Sequence, residues 1–385
     1  MSILQNLKRR PAQTSRSVRR TSLVLVAVLA LYALLAAVGA VDGAYLGQGA
    51  VVLIAAFGAY GLNLITGYAG LASIGNAGFM AIGGIIGWSV LESTGSFELA
   101  LLLGGVAGLV SGGIVGAIAL RWHGFYLVLA TLAVQAIVVF VLQEIQLAPG
   151  SEYLAGFTFG PMTFFGVDLF DDTTWTVLLA VLLAVVVLLI AGLVDGRFGR
   201  AWMAIRENER AADVCGINVV WMKILTFAIG SAIIAFGGVL AAAYAGSMSY
   251  ESFTLEVSTS FVAMIIVGGL GSMAGPLLGA LVVRLIPYVI QSNGNTEVGR
   301  ALNDINGGTG LPFLQTILYC AIVLAFLVFE PMGLANLGNR LRGLLARRRR
   351  PGGGDSGGGD PGGGPPVPEP PRNDPEPVGA ERSRA

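Results

Sequence analysis

Residues 175–194 read Trp175-Thr176-Val177-Leu178-Leu179-Ala180-Val181-Leu182-Leu183-Ala184-Val185-Val186-Val187-Leu188-Leu189-Ile190-Ala191-Gly192-Leu193-Val194. Asp171 and Asp172 precede the run and Asp195 follows it, and no charge falls between. A helix rises about 1.5 Å per residue, so a run of this length spans a hydrocarbon core of roughly 30 Å. Membrane strands alternate apolar and polar positions, and this run does not. It therefore decides the fold class: an all-α integral membrane protein, whose backbone polar groups are satisfied inside each helix. Nine further apolar runs fit the same reading, at about 22–41, 49–66, 77–91, 99–120, 125–143, 224–246, 257–271, 275–290 and 312–330. About ten transmembrane helices are expected.

The composition agrees. The chain has 385 residues, 55% hydrophobic and 12% charged. A soluble domain carries about 25% charged residues. With 23 basic and 23 acidic residues the net charge is zero, which excludes a nucleic-acid binder working through a basic face. One histidine, His123, and two cysteines, Cys215 and Cys320, leave no metal-ligand motif or disulfide framework. The two lysines, Lys8 and Lys223, lie outside any G-K-[S/T] phosphate loop. No metal or cofactor is expected, and the chain cannot by itself hydrolyse ATP in the P-loop manner.

Loop charge orients the spans. The 144–174 loop holds Glu144, Glu152, Asp168, Asp171 and Asp172 and no basic residue. The 195–223 loop holds Arg197, Arg200, Arg206, Arg210 and Lys223, and the C-terminal tail holds Arg340, Arg342 and Arg347 to Arg350. The positive-inside rule then places the basic N-tail (1–21), the 195–223 loop and the C-tail in the cytoplasm. Segments 42–48, 92–98, 144–174, 247–256 and 291–311 fall outside. Val38-Gly39-Ala40 resembles a weak cleavage site, but the run before it is longer than a signal h-region. The domain plan is a basic tail to residue 21, a transmembrane domain over 22–338, and a tail over 339–385. Ten Gly and nine Pro crowd 351–385, a composition that cannot bury enough surface to fold. Arg347 to Arg350 suit contact with anionic lipid.

Two glycine clusters flank unusually short apolar runs: Gly67-Tyr68-Ala69-Gly70-Leu71-Ala72-Ser73-Ile74-Gly75-Asn76-Ala77-Gly78-Phe79 and Gly268-Gly269-Leu270-Gly271-Ser272-Met273-Ala274-Gly275-Pro276. Close helix packing is one reading. Interrupted helices beside a transport pathway are the other, with Gly70, Ser73, Gly75, Asn76, Gly269, Gly271 and Ser272 as candidate path residues. Arg284 lies inside an apolar run, where a charge faces a cavity or snorkels to the interface. Asn63, Asn76 and Gln135 suit hydrogen bonds between helices. No histidine or second intramembrane carboxylate forms the relay expected of a proton-driven carrier. His123 sits in a short cytoplasmic turn and reads as structural.

The 195–223 loop is the most informative segment. From Gly199 to Gly216 the pattern is helical, with Ala201, Ala204, Ile205, Ala211, Ala212 and Cys215 mainly at helical spacing. Arg206 and Arg210 stand four apart, as do Glu209 and Asp213, and Gly216 suits a C-terminal cap. Such a helix lies on lipid or docks a cytosolic protein, its mixed charges setting the register.

This segment resembles the coupling motif of permease subunits of ATP-binding-cassette importers, a Glu-Ala-Ala, three residues, then Gly. Ala211-Ala212 and Gly216 match, with Glu209 displaced by Arg210. The chain as a whole resembles the M-type permeases of branched-chain amino-acid importers. Gly67 to Phe79, Gly124 to Ala133, Gly199 to Asn218, Glu251-Ser252-Phe253, Gly268 to Ser272 and Gly275-Pro276 carry the likeness in family order. Asn76 stands where the family often has His. The resemblance implies an N-in/C-in, type II importer-like permease of a bacterial plasma membrane. It implies a coupling helix at about 199–216, with Gly199, Arg200, Ala204, Ile205, Arg206, Glu207, Asn208, Glu209, Ala211, Ala212 and Gly216 meeting two cytosolic ATPase subunits. A second homologous permease, an extracytoplasmic binding protein and membrane lipid complete the expected partners; nucleic acid is not among them. A permease for urea or short amides has the same scaffold. An ion-coupled carrier or channel would need no docking helix.

Overall fold

The computed structural model describes residues 15–40, 42–119 and 125–292, with isolated positions between 317 and 334. The chain divides into two units, Met1–Leu341 and Arg342–Ala385, and every described residue belongs to the first. The expected tenth span at 312–330, the His123 turn and the Gly/Pro-rich tail lie essentially outside the described residues.

The helices are α1 (Ser15–Ala37), α2 (Gly43–Leu62), α3 (Asn76–Thr94), α4 (Phe97–Ala119), α5 (Phe125–Leu147) and α6 (Asp172–Asp195). Then come α7 (Arg197–Glu207), α8 (Glu209–Val214), α9 (Val219–Ala245), α10 (Leu255–Gly268) and α11 (Gly275–Ser292). Nine of the ten expected runs thus form helices. Among the described residues seven segments are long and apolar enough to cross a membrane. These are α1, α2 with its π-helical extension Asn63–Tyr68, α4, α5, α6, α9, and Tyr250–Gly268, which joins a 3-10 turn to α10. Glycines and the polar end Glu92-Ser93-Thr94 dilute α3, and the apolar part of α11 is short, Gly275–Leu285. The chain is a mostly helical, multi-pass membrane protein. Two small antiparallel ladders interrupt the helices: β1 (Phe157–Thr158) with β4 (Ser247–Met248), and β2 (Thr163–Phe164) with β3 (Val167–Asp168).

Burial separates centre from rim. Of the apolar window of α2, 83% is buried inside the chain, against 22% for α1 and α5. Lipid is as apolar as leucine, so exposed Leu and Val on α1 and α5 carry no penalty, and interior contacts are selected by fit. The most extensive contact joins α4 to α9. Gly104, Gly108, Gly112 and Gly116 recur every fourth residue and form one stripe on α4. A Cβ at Gly108 would lie 2.3 Å from Ala235 Cβ and 2.7 Å from the Ser231 carbonyl oxygen. The sequence carries this stripe as a four-residue glycine repeat.

The connections gather at two ends. One end, here the strand end, holds the ladders. There Trp88 donates to the Thr158 carbonyl, Gln146 accepts from Tyr250 N–H, and Tyr244 donates to Asp172. The other, the hairpin end, holds α7 and α8 with both glycine clusters. Helix α1 starts at Ser15, before its apolar run, and Arg19 pairs there with Asp195 at 3.2 Å.

Candidate functional site

The 197–216 segment is not the single helix its spacing suggests. Asn208 is extended (φ −155°, ψ 107°) and separates α7 from α8. Its side chain accepts from Ala211 N–H at 3.2 Å and so caps α8. Asn218 repeats the device ten residues on, accepting from Trp221 N–H at 3.0 Å to start α9. Between them Gly216 (φ +83°) takes the left-handed conformation at the end of α8. Ile217 N–H reaches the Ala212 carbonyl and Gly216 N–H the Asp213 carbonyl, closing a Schellman motif. The segment is a helical hairpin.

Its inner side is fastened. Gly199 abuts the end of α6: a Cβ there would lie 1.9 Å from the Val194 carbonyl oxygen. Trp202 is fully buried, and Ile205, Ala212 and Val219 form a small apolar cluster. Lys223 of α9 meets Glu209 at 2.6 Å. Arg200 is exposed and Ala204 half-buried. The outer side carries Glu207, Asn208, Arg210, Ala211, Asp213 and Val214. Val214 is 89% exposed, a residue the sequence reading did not single out.

Arg206 and Arg210 do not share a face, because the break at Asn208 falls between them. Arg210 points out. Arg206 turns inward and donates to the carbonyl oxygen of Gly67. Burial pushes its guanidinium below its ordinary pKa, while the Glu207 carboxylate pulls it back up. Gly70 and Gly271 flank it: a Cβ at Gly70 would lie 2.9 Å from Arg206 Cγ, and one at Gly271 2.9 Å from Nη1. Both glycines have positive φ (+73° and +70°), so a side chain at either position would be strained as well as crowded.

The two glycine clusters, some 200 residues apart, are thus brought together. Asn63 joins them directly: its amide donates to the Ser272 carbonyl at 3.0 Å and its oxygen accepts from Gly271 N–H at 2.8 Å. Tyr60 donates to the Met273 carbonyl at 2.9 Å. The helix runs into a π turn at Asn63–Tyr68, a geometry that often marks functional positions. Gly75 packs on the Thr131 carbonyl oxygen, 2.2 Å from where its Cβ would be, and Gly269 ends α10. Gln135 accepts from Ser258, whose hydroxyl accepts from Ala77 N–H. In and beside the first cluster, however, buried side-chain atoms of Thr66, Tyr68, Ser73 and Asn76 have no hydrogen-bond partner among the described residues. Asn76 is completely buried.

A separate cavity of about 340 Å³ opens toward the strand end between α2, α9 and α10, with Arg284 of α11 on its wall. The seven candidate path residues lie elsewhere, in the packed glycine clusters.

Among the described residues, seven segments able to cross a membrane, with a polar hairpin docked at one end, define a multi-pass membrane protein. A family described as "Branched-chain amino acid transport system / permease component" matches residues 43–327, and the chain belongs to this family. It is similar to the LivM permease protein of the high-affinity branched-chain amino acid transport system of Salmonella typhimurium, 32% identical over 58% of this chain and 58% of that protein. It is also similar to a probable LivM permease of Methanocaldococcus jannaschii, 26% identical over 71% of this chain and 88% of that one. LivH of Escherichia coli is 32% identical over 26% of this chain and 32% of its own length. The chain spans just under three-fifths of the length of the Salmonella relative it matches. No solved structure matches significantly. The chain is a multi-pass inner-membrane protein of this family.

Proposed function

We propose that the chain is the permease subunit of an ATP-binding-cassette importer for branched-chain or similar apolar amino acids. The observation that carries this reading is a hairpin, exposed outside and rooted through Arg206 at both glycine clusters. The family and the LivM relatives support the cargo. The chain is not itself an ATPase in this reading; two cytosolic ATPases dock on Glu207, Asn208, Arg210, Ala211 and Val214. A second permease encloses the path, and an extracytoplasmic binding protein delivers to the strand end. The hairpin end is cytoplasmic, as the loop charges require, and the 312–330 run supplies a tenth span that returns the C-terminus to the cytoplasm.

Motion of the hairpin then reaches the membrane through Arg206. Its guanidinium pulls on the Gly67 carbonyl and presses on Gly271, shifting both interrupted helices together. Buried polar groups normally find partners. The buried polar side chains of Tyr68, Ser73 and Asn76 in the first cluster find theirs in water or in the alternate state of this reading.

Co-expression with the cognate ATPases tests this. Arg210→Glu with Val214→Asp abolishes their co-purification. Arg206→Gln leaves co-purification intact and lowers ATP-dependent leucine uptake at least tenfold. Unchanged co-purification and uptake in the first variant would rule out the hairpin as the docking surface.

A further inference from the structure

Helices α1 and α6 run antiparallel, and a groove of about 410 Å³ opens between them at the hairpin end. Arg19 and Leu23 line it from α1, and Leu188, Ala191, Gly192 and Asp195 from α6. Their spacing puts them on one face of each helix. The groove is graded in polarity. Arg19 and Asp195 close one end, and Leu23 and Leu188 lie one and two turns further toward the middle of their helices. The floor between is small: a Cβ added at Gly192 would meet nothing within 4 Å. Helix α6 has 24 residues, about 36 Å at 1.5 Å per residue, against a hydrocarbon core of roughly 30 Å. Its last residue, Asp195, therefore stands at the headgroup level, and Leu188 stands in the hydrocarbon.

The apolar end faces lipid: Leu23 is 63% exposed and Leu188 46%. An acyl chain fills such a groove, and the polar end selects the headgroup. The charges there favour an anion. The Asp195 side chain is only 10% exposed, and Arg19 Nε engages it at 3.2 Å, while the Arg19 side chain stays 78% exposed. Arg20, next to it, is exposed as well. Arg200 donates to the Asp195 carbonyl oxygen at 3.4 Å, which brings a third exposed guanidinium to the mouth. Asp195 thus fixes Arg19 in place, and the other two leave the mouth net positive. A guanidinium presents a fork of donors that matches a phosphate. We propose that this groove is a binding site for an anionic phospholipid of the leaflet at the hairpin end, its phosphate on Arg19 and one acyl chain over Gly192 between Leu23 and Leu188. A choline lipid fills the apolar part equally well but brings a cation to a cationic mouth. The site stands at the root of the hairpin, since α7 starts two residues beyond Asp195. It depends on neither the cargo nor the ATPases proposed above.

The test is native mass spectrometry of the purified full-length chain, offered phosphatidylglycerol or phosphatidylcholine of the same acyl chains, with thermal unfolding in detergent measured for each variant. Wild type should prefer phosphatidylglycerol by about fivefold or more, the effect of one guanidinium near an anionic surface. Gly192→Phe fills the groove from a position with open space around it and should remove that preference at unchanged stability. Arg19→Gln should bring the two lipids near parity, and Arg19→Lys, which keeps the charge, should restore most of the difference. Glycerol 3-phosphate carries the phosphate without acyl chains and should not displace the lipid; displacement would make this a site for soluble phosphates and overturn the proposal. A preference absent from wild type, or undiminished in either Gly192→Phe or Arg19→Gln, overturns it as well. Should the Arg19 variants unfold, Gly192→Phe decides alone, since it leaves the Arg19–Asp195 pair intact.

Discussion

The two ends of the molecule are held by different forces. At the strand end aromatic rings pack around the hydrogen bonds of Trp88, Gln146 and Tyr244. Trp88 lies 5.0 Å from Tyr153 and 4.8 Å from Phe157, and Phe97 lies 5.9 Å from Trp175, centroid to centroid. At the hairpin end the contacts are polar side chains reaching backbone: Arg206 to Gly67, Asn63 to Gly271 and Ser272, Tyr60 to Met273. Aromatic packing is broad, short-ranged and tolerant of small shifts in register, so it makes a cap. Hydrogen bonds onto glycine backbone are directional and few, so a displacement at one partner is passed to the other or breaks the bond. The proposed transmission route lies at the end where the bonds onto glycine backbone are.

That contrast can be broken by mutation. Phe157→Ala at the strand end removes a fully buried ring and should lower stability by about 3–5 kcal/mol. Thermal unfolding in detergent reads this, while uptake per folded molecule stays near wild type. A selective loss of uptake at full stability would place transmission at the strand end instead. Arg206→Ala removes a charged donor at the hairpin end. A bond of that kind contributes about 1.5–3 kcal/mol, so uptake should fall roughly ten- to a hundredfold with ATPase association retained. Asn63→Leu leaves Gly271 N–H and the Ser272 carbonyl unpaired inside the membrane domain, at about 1–3 kcal/mol. Both stability and uptake should suffer, and Asn63→Asp, which keeps the acceptor but not the donor, should recover only part. Glu209→Gln weakens the pair with Lys223, in which the carboxylate is 40% exposed, and should cost less than about 1 kcal/mol. A larger loss from Glu209→Gln than from Arg206→Ala would move the transmission point from α7 to α8.

Much of this was legible in the residues. The run 175–194 forms α6, and the apolar runs up to residue 290 are helices. The polar residues Asn63 and Gln135 do hydrogen-bond between helices, and Gly216 does cap. The hairpin's break was missed because apolar spacing continues through it. Asn208 competes with the helix by bonding its own backbone three residues on, and periodicity does not register that competition. The inward turn of Arg206 had no local signal, since a mixed-charge loop reads as uniformly solvated.

By itself the sequence determined which segments are apolar enough to enter lipid, which residues cap helices, and how charge divides between the loops. Each of these depends on transfer free energy or on bonds within a few residues, so local composition suffices. Only the tertiary structure decided that Asn63 meets Gly271 across 208 residues, that one guanidinium sits between Gly70 and Gly271, and that Arg284 faces a cavity. Those contacts depend on how helices pack. In lipid that is settled by close fit between small residues and by a few polar bonds, neither of which hydrophobic periodicity encodes.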